Sequence, residues 1–145
     1  MEKINSLTGM TDLIDTKADE NVLANKVFQT EKILKEIFTN YAMSEIRTPA
    51  LENTNLFKRS VGDTSDIVNK ELYTFSDKND KSITLRPEGT ASVMRSIIEK
   101  KLDGETHKLW YLGPMWRYER PQKGRFRQFN QAGMDFGLSR RCTRI

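Results

Sequence analysis

The 145-residue sequence contains one cysteine, Cys142, and one histidine, His107. A single cysteine cannot close a disulfide within the chain, and one cysteine with one histidine is too small a ligand set for a zinc site. No apolar run approaches the ~18–20 residues that a membrane-spanning helix needs. Residues 1–12 also lack the apolar segment of a secretion signal. We therefore expect no metal site built by the chain itself, no membrane contact and a cytoplasmic location.

Charge is present but unevenly placed. The net charge is only +4, yet residues 108–129 hold six basic side chains against one acidic side chain, Glu119. The six are Lys108, Arg117, Arg120, Lys123, Arg125 and Arg127. Such a stretch either binds phosphate, in a nucleotide or a nucleic acid, or is a solvated basic loop. Charge alone leaves both interpretations open.

Two segments have the pattern of helices. Apolar residues recur at helical spacing over 16–41, and Thr16 with Asp19 fits a capping box at the start. A second helix is predicted to begin near Thr90 and to run to Leu102, before Gly104.

The strand signals predict two antiparallel hairpins. Residues 44–52 are predicted to form a strand in which Pro49 marks either a sheet edge or a point where pairing stops. Residues 53–70 are predicted to be irregular, with a turn at Gly62. Residues 71–76 and 82–86 flank a polar turn and predict the first hairpin.

The second predicted hairpin has longer arms, residues 109–119 and 125–137, joined by the turn-rich loop 120–124. With the helices, this pattern predicts an α+β fold in which an antiparallel sheet is flanked by helices.

One face of the second hairpin gathers chemically useful side chains, because residues alternate between faces along a strand. The row that these residues share is Arg117, Glu119, Arg127, Phe129, Gln131 and Asp135. Arginine forks match phosphate oxygens, an aromatic ring stacks on a base, and carboxylates accept N–H groups. Gly133 lies on the same row and would let a ligand approach the backbone. The alternative is an exposed charged sheet face with Phe129 in the core.

The stretch TLRPEGTA (84–91) is predicted to be a strand-to-helix corner. Glu88 and Thr90 flank Gly89, so side chains and backbone there can converge on a ligand. The alternative is a simple turn in which Thr90 caps the following helix.

Three stretches together resemble the first half of the catalytic domain of the histidyl-tRNA synthetases: residues 45–75, 84–91 and 112–133. Residues 16–49 are similar to motif 1 of class II synthetases, which builds the dimer interface, and Arg117 to Asp135 resembles motif 2. The resemblance implies that residues 1–138 are the N-terminal part of a class II catalytic domain. We expect 139–145, where the pattern breaks down, to be an aberrant, disordered tail.

The resemblance also implies a reaction and its partners. A histidine–tRNA ligase joins histidine to ATP, giving histidyl-adenylate and pyrophosphate, and then transfers the histidyl group to tRNA(His). Mg²⁺ accompanies the ATP because the triphosphate charge must be neutralised. The family implies a homodimer.

Residue roles follow from the resemblance alone. Arg117 would be the catalytic residue and contact the α-phosphate and the histidine carboxylate. Glu119 would contact the adenine side, Phe129 would stack on the adenine ring, and Arg125 would bind the distal phosphates. The residues expected around histidine are Glu88, Gly89, Thr90, Arg117, Gln131 and Asp135.

The sequence departs from the family pattern at several points. Thr8-Gly9 stands where family members usually have Arg-Gly, and Asn130 stands where a histidine is common. Nothing in the chain resembles motif 3, the histidine-specific arginine loop or the anticodon-binding domain. We therefore expect the chain to be incomplete and inactive alone.

Two other functions compete with this one. A regulatory synthetase-like subunit of ATP phosphoribosyltransferase has the same fold but has typically lost the nucleotide contacts of motif 2, whereas Arg117, Glu119, Arg125 and Phe129 are present here. A nucleic-acid-binding module would use the basic loop to contact phosphates without any catalytic role.

Overall fold

A computed structural model of the chain describes residues 3–14, 22–62, 70–120 and 122–137. In this part of the chain, three helices accompany two three-stranded sheets. The elements in chain order are α1 (Val22–Asn40), β1 (Ser44–Glu45), β2 (Leu51–Asn53), α2 (Thr54–Val61), β3 (Thr74–Ser76), β4 (Ser82–Leu85), α3 (Thr90–Glu99), β5 (His107–Trp116) and β6 (Gln128–Gly137). The α+β class predicted from the sequence is confirmed.

The first sheet has the strand order β1-β5-β6, and most of it is the long hairpin of β5 and β6. These two strands pair antiparallel from His107↔Gly137 to Trp116↔Gln128, while β1 pairs parallel with β5. The second predicted hairpin is therefore confirmed, although its regular strands are shorter at the loop end than the predicted arms.

Helices cover both faces of this sheet. On one face, Phe38 of α1 stacks on Trp110 with ring centroids 4.8 Å apart, and Met43 packs beside them. On the other face, Val93 and Ile97 of α3 pack in a buried cluster whose other two members are Tyr111 and Met115. The predicted site residues consequently lie on a sheet face that is partly covered by a packed core, and this face is not open along its whole length.

The predicted helix 16–41 is observed as α1 over the described residues, and its proposed capping box lies outside them. The predicted helix after Thr90 is α3, which ends at Glu99, earlier than Leu102. Lys101 then adopts a left-handed backbone (φ 55°), which explains the earlier end.

The prediction that 53–70 are irregular is wrong for its first half, which forms α2. The side chain of Asn53 accepts a hydrogen bond from the Asn55 N–H at 2.9 Å and caps the helix, and Phe57 is fully buried. Gly62 ends the helix with φ 90°, and the residues that would complete the turn predicted there, 63–69, lie outside the described residues.

The second sheet, with order β2-β4-β3, contains the first predicted hairpin as β3 and β4. Its turn depends on Asp77, whose carboxylate accepts hydrogen bonds from the N–H groups of Asn79 and Lys81. The predicted strand 44–52 is split: β1 lies in the first sheet and β2 in the second. Residues 46–50, which include Pro49, belong to neither strand, so the predicted interruption of pairing is confirmed.

Arg86, just after β4, joins the two sheets. Its Nη1 donates to the carbonyl and the hydroxyl of Thr48 at 2.7 and 2.9 Å, and its Nε donates to the carbonyl of Pro114 at 3.2 Å. Its backbone N–H donates to Ala50, and its carbonyl accepts from the N–H of Trp116. A single residue thus fixes the start of the 84–91 corner against β5.

Among the described residues, none of the helices combines the length and the apolar character that crossing a membrane requires.

We predict that Arg86→Met lowers the free energy of unfolding by about 2–3 kcal/mol, because partly buried carbonyl acceptors lose a charged donor. Urea denaturation measures the change. The matched control is Arg47→Met, since the Arg47 side chain is 80% exposed and pairs with Glu45 at the surface. The control is expected to keep the wild-type midpoint, and equal losses in the two variants would contradict the role of Arg86.

Candidate active site

Four predicted site residues line one cavity of about 450 Å³ beside the loop between β5 and β6: Arg117, Glu119, Arg125 and Phe129. We call it the hairpin cavity, and Glu71, Gly124 and Phe126 complete its lining. Two guanidiniums, two carboxylates and two aromatic rings therefore face one space. Such a lining suits a ligand that combines an aromatic ring with several negative charges.

The charges in the hairpin cavity leave room for an anion. The carboxylate of Glu119 lies 3.9 Å from Nη1 of Arg117 and 3.8 Å from Nε of Arg125. Both separations exceed hydrogen-bond length, so neither arginine commits these N–H donors to Glu119. The guanidinium carbon of Arg117 lies 5.1 Å from the ring centroid of Phe129.

Arg117 also reaches the 84–91 corner, where its Nε donates to the carbonyl of Pro87 at 3.0 Å. A second link is the hydrogen bond from the Gly89 N–H to Oε1 of Gln131 at 3.1 Å. Two hydrogen bonds between the hairpin and the corner therefore bring the two groups of predicted site residues together.

At the corner, Glu88 caps α3. Its two carboxylate oxygens accept hydrogen bonds from the N–H groups of Thr90 and Ala91 at 2.7 and 2.9 Å. The alternative in which Thr90 caps the helix is therefore wrong, because Thr90 is the first helical residue. Each Glu88 oxygen keeps a further lone pair that can accept another donor.

Tyr111 is the main residue of this region that the sequence interpretation missed. Its ring lies between Gly89 and Gly133, and a Cβ atom at either glycine would overlap the ring. The expectation that Gly133 makes room for a ligand is therefore wrong, because the room is filled by Tyr111. The pairing of Tyr111 with Gly133 across the two strands could have indicated this packing. Recognising the pair requires the register of the hairpin, which the sequence interpretation did not assign.

Asp135 and the nearby Tyr111 both have perturbed pKa values. Burial raises the pKa of Asp135, the charge of Glu88 raises it further, and a hydrogen bond with Thr90 opposes both effects. Burial also raises the pKa of the Tyr111 hydroxyl, with smaller contributions from the same neighbours. Three residues predicted to bind histidine therefore lie around the Tyr111 hydroxyl: Glu88, Thr90 and Asp135.

Asp135 has an open acceptor. Its Oδ2 is buried and has no hydrogen-bond partner among the described residues. Buried polar atoms are almost always paired, so an orphaned carboxylate oxygen at this position is well suited to an N–H donor of a ligand.

Arg127 does not join the other members of its predicted row. Its guanidinium stacks on the ring of Tyr118 at 4.2 Å, and its Nε donates to the carbonyl of Glu119 at 3.2 Å. Alternation had placed Tyr118 on the opposite face. That expectation is wrong because the regular strands end at Trp116 and Gln128, before these residues.

Glu71 and Phe126, which line the hairpin cavity, were also missed. The carbonyl of Glu71 accepts the N–H of Tyr118 at 2.7 Å, a contact that no local pattern indicates.

Within the described residues, no group of three or more histidine, cysteine, aspartate or glutamate side chains is arranged to hold a metal ion.

These features match a known family. A family model described as histidyl-tRNA synthetase matches residues 20–137. The chain belongs to the histidyl-tRNA synthetase family. The resemblance stated from residues 45–75, 84–91 and 112–133 is therefore confirmed.

Individual histidyl-tRNA synthetase relatives agree with the match. A protein of Desulfitobacterium hafniense named histidine–tRNA ligase is 61% identical over 107 residues, which are 72% of this chain and 25% of that protein. The structure of apo histidyl-tRNA synthetase from S. aureus has a TM-score of 0.67 and 43% identity, covering 92% of this chain and 28% of that chain. This chain thus spans about a quarter of the length of the relatives it matches. The class II catalytic-domain fold is confirmed.

A further similar structure comes from Bacillus halodurans C and is described as an ATP phosphoribosyltransferase regulatory subunit/histidyl-tRNA synthetase. It has a TM-score of 0.69 and 22% identity, covering 94% of this chain and 33% of that chain. At this identity the likeness shows the fold alone.

We predict that Asp135→Asn raises the melting temperature at pH 7 and that the gain disappears below about pH 4. The pKa of Asp135 is raised in the folded state, so the folded protein binds the proton more tightly than the unfolded chain. Unfolding free energy therefore falls as the pH rises from the unfolded to the folded pKa and stays lowered above it. The asparagine variant avoids this loss.

The matched control is Asp77→Asn, for which the opposite sign is expected. Hydrogen bonds from the N–H groups of Lys81 and Asn79 lower the pKa of Asp77, so its stabilising contribution is present at neutral pH and is lost as the pH falls through the folded pKa. Thermal melts of both variants from pH 3 to pH 7 check the two signs. A pH-independent gain for Asp135→Asn would contradict the burial of its charge.

Proposed function

We propose that this chain supplies the ATP-binding and histidine-binding residues of a histidine–tRNA ligase. The observation that carries the proposal is the position of Arg117. It lines the hairpin cavity with Glu119, Arg125 and Phe129, and it donates a hydrogen bond to the 84–91 corner near Asp135 and its neighbours. A residue between two ligand sites is suited to joining the two ligands.

In the proposed reaction, a carboxylate oxygen of histidine attacks the α-phosphorus of ATP. A carboxylate–phosphorus bond forms, the bond to the β-phosphate oxygen breaks, and pyrophosphate leaves. The fixed charge of Arg117 stabilises the negative charge that develops on the α-phosphate. A hydroxyl of the terminal ribose of tRNA(His) then attacks the histidyl carbonyl carbon and loses its proton. The bond to the phosphate oxygen breaks, and AMP leaves.

The nucleotide would occupy the hairpin cavity. Phe129 would stack on the adenine ring, Glu119 would contact its exocyclic edge, and Arg125 would bind the distal phosphates. Mg²⁺ would arrive with the triphosphate and neutralise its charge.

Histidine would occupy the corner. The orphaned Oδ2 of Asp135 would accept an imidazole N–H, and Glu88, which already accepts two backbone N–H groups, would accept the ammonium group. Thr90, Gly89 and Gln131 would shape the pocket around them.

The regulatory-subunit function has weaker support. The relative named histidine–tRNA ligase is 61% identical, whereas the structure that carries the regulatory description is 22% identical. The nucleotide-binding set of the hairpin cavity also favours the ligase. Homodimer formation through residues 16–49 is part of the proposal for the longer protein.

We predict that the 145-residue chain binds ATP·Mg²⁺ saturably and that Phe129→Ala weakens binding about tenfold or more, because base–aromatic stacking contributes about 1–3 kcal/mol. Isothermal titration calorimetry at fixed salt measures both affinities. The matched control is Phe75→Ala, since Phe75 is 47% exposed and lies in β3 of the other sheet. Unchanged affinity in Phe129→Ala, or no saturable binding by the wild type, would refute the nucleotide site.

We further predict that the chain alone shows no robust histidine-dependent pyrophosphate exchange. It spans only a quarter of the matched relatives, and nothing in it resembles the ATP-binding arginine of motif 3 or the histidine-specific loop. Exchange is measured after a cooperative unfolding transition has shown that the sample is folded. Exchange at a rate typical of complete synthetases would contradict the incomplete site.

A further inference from the structure

The Thr8-Gly9 position, where the sequence departs from the family pattern, contacts the loop between β5 and β6. We call residues 3–14 the N-terminal segment. The carbonyl of Gly9 accepts two consecutive backbone N–H groups, from Arg127 at 2.7 Å and from Gln128 at 3.1 Å. A turn closed by the Met10 N–H on the Leu7 carbonyl at 3.0 Å holds Gly9 in place. The N-terminal segment is therefore fastened where β6 begins.

Only glycine suits this contact. Gly9 has φ 80°, and a Cβ atom there would lie 3.0 Å from Cγ and 3.2 Å from both Cβ and N of Arg127. A larger residue would meet both a strained backbone and a tight contact with Arg127.

Arg127 connects Gly9 with residues that line the hairpin cavity. Its head group stacks on Tyr118 and donates to the carbonyl of Glu119, and its own carbonyl accepts the N–H of Arg117 at 2.9 Å. Glu119 and Arg117 both line the hairpin cavity. Gly9 is thus linked to the cavity through a single residue, Arg127, by both its side chain and its backbone.

The N-terminal segment also lies behind the aromatic rings of the cavity. Thr11 and Leu13 line a second cavity of about 200 Å³ together with Phe126 and Phe129. Both rings line the hairpin cavity as well, so they separate the N-terminal segment from it.

We propose that Gly9 is a positioning residue for the nucleotide: acting through Arg127, it holds Glu119 and Arg117 in the arrangement that binds ATP. This inference rests on the proposed function, since it assumes that the hairpin cavity takes ATP. Gly9 touches no ligand itself. Its effect is therefore expected in nucleotide affinity rather than only in stability.

The first test is Gly9→Ala, with ATP·Mg²⁺ affinity measured by calorimetry on the full 145-residue chain. We expect about a tenfold weaker affinity, because displacing Glu119 and Arg117 weakens their polar contacts with the nucleotide and each tenfold in affinity corresponds to about 1.4 kcal/mol. The matched control is Gly62→Ala, since Gly62 has a similar φ of 90° but a Cβ atom added there would meet no described atom within 4 Å. An alanine at Gly62 is likewise strained by the positive φ but lacks the contact with Arg127, and its affinity is expected to stay within about twofold.

The second variant, Arg127→Gln, tests the path. It removes the stacking on Tyr118 and the Nε hydrogen bond while it keeps the backbone bonds to Gly9. We expect a similar loss of affinity, and we expect the double variant Gly9→Ala/Arg127→Gln to bind no more weakly than the worse single variant, because both changes act on one path. A purely structural role would instead give additive losses that follow the melting temperatures.

The outcomes separate the two proposals. Wild-type ATP affinity in Gly9→Ala, with saturable binding by the wild type, overturns this inference and leaves the proposed function standing. No saturable binding by the wild type overturns both. If Gly9→Ala does not fold at the assay temperature, Arg127→Gln decides, and unchanged affinity in that variant overturns the inference.

Discussion

The packing of the Tyr111 ring between Gly89 and Gly133 is the constraint on which the rest of the site depends. Gly89 belongs to the strand-to-helix corner and Gly133 to the return strand of the hairpin, so the ring sets the distance between them. The hydrogen bond from the Gly89 N–H to the side-chain Oε1 of Gln131 also holds the corner backbone to the hairpin. Arg86 makes a further link between the corner and the hairpin, because its Nε donates to the carbonyl of Pro114. The corner is consequently held to the hairpin through a packed ring and directed polar contacts.

This arrangement explains why one buried carboxylate oxygen without a partner is tolerated. Asp135 lies near the Tyr111 hydroxyl, where burial raises its pKa, and its Oδ2 lacks a donor among the described residues. An unpaired buried carboxylate destabilises the fold unless other interactions hold it in place. The rigid contacts around Tyr111 supply that support. Under the proposed function, the cost in stability leaves an acceptor ready for the imidazole N–H of histidine.

How much of this was predictable depends on the range of the interactions. The long hairpin, α3 and the corner followed from local periodicity and turn residues, and the family followed from long motifs. The role of Gly133 did not, because it depends on the cross-strand partner Tyr111 and hence on register. The position of Arg127 did not either, since alternation holds only while the strands are regular. Helix α2 was missed because its eight residues are fewer than the roughly 11–18 residues over which helical periodicity is read from a sequence.

The difference between the two arginines of the hairpin cavity gives the catalytic assignment a physical basis. Transition-state stabilisation requires a charge that is already fixed before the reaction begins. The Arg117 side chain is 25% exposed, is bonded to the Pro87 carbonyl and lies against Phe129. The Arg125 side chain is 64% exposed. Under the proposed function, the exposed charge of Arg125 would follow the distal phosphates as they bind and leave, whereas the fixed charge of Arg117 suits the α-phosphate, where the bonds change.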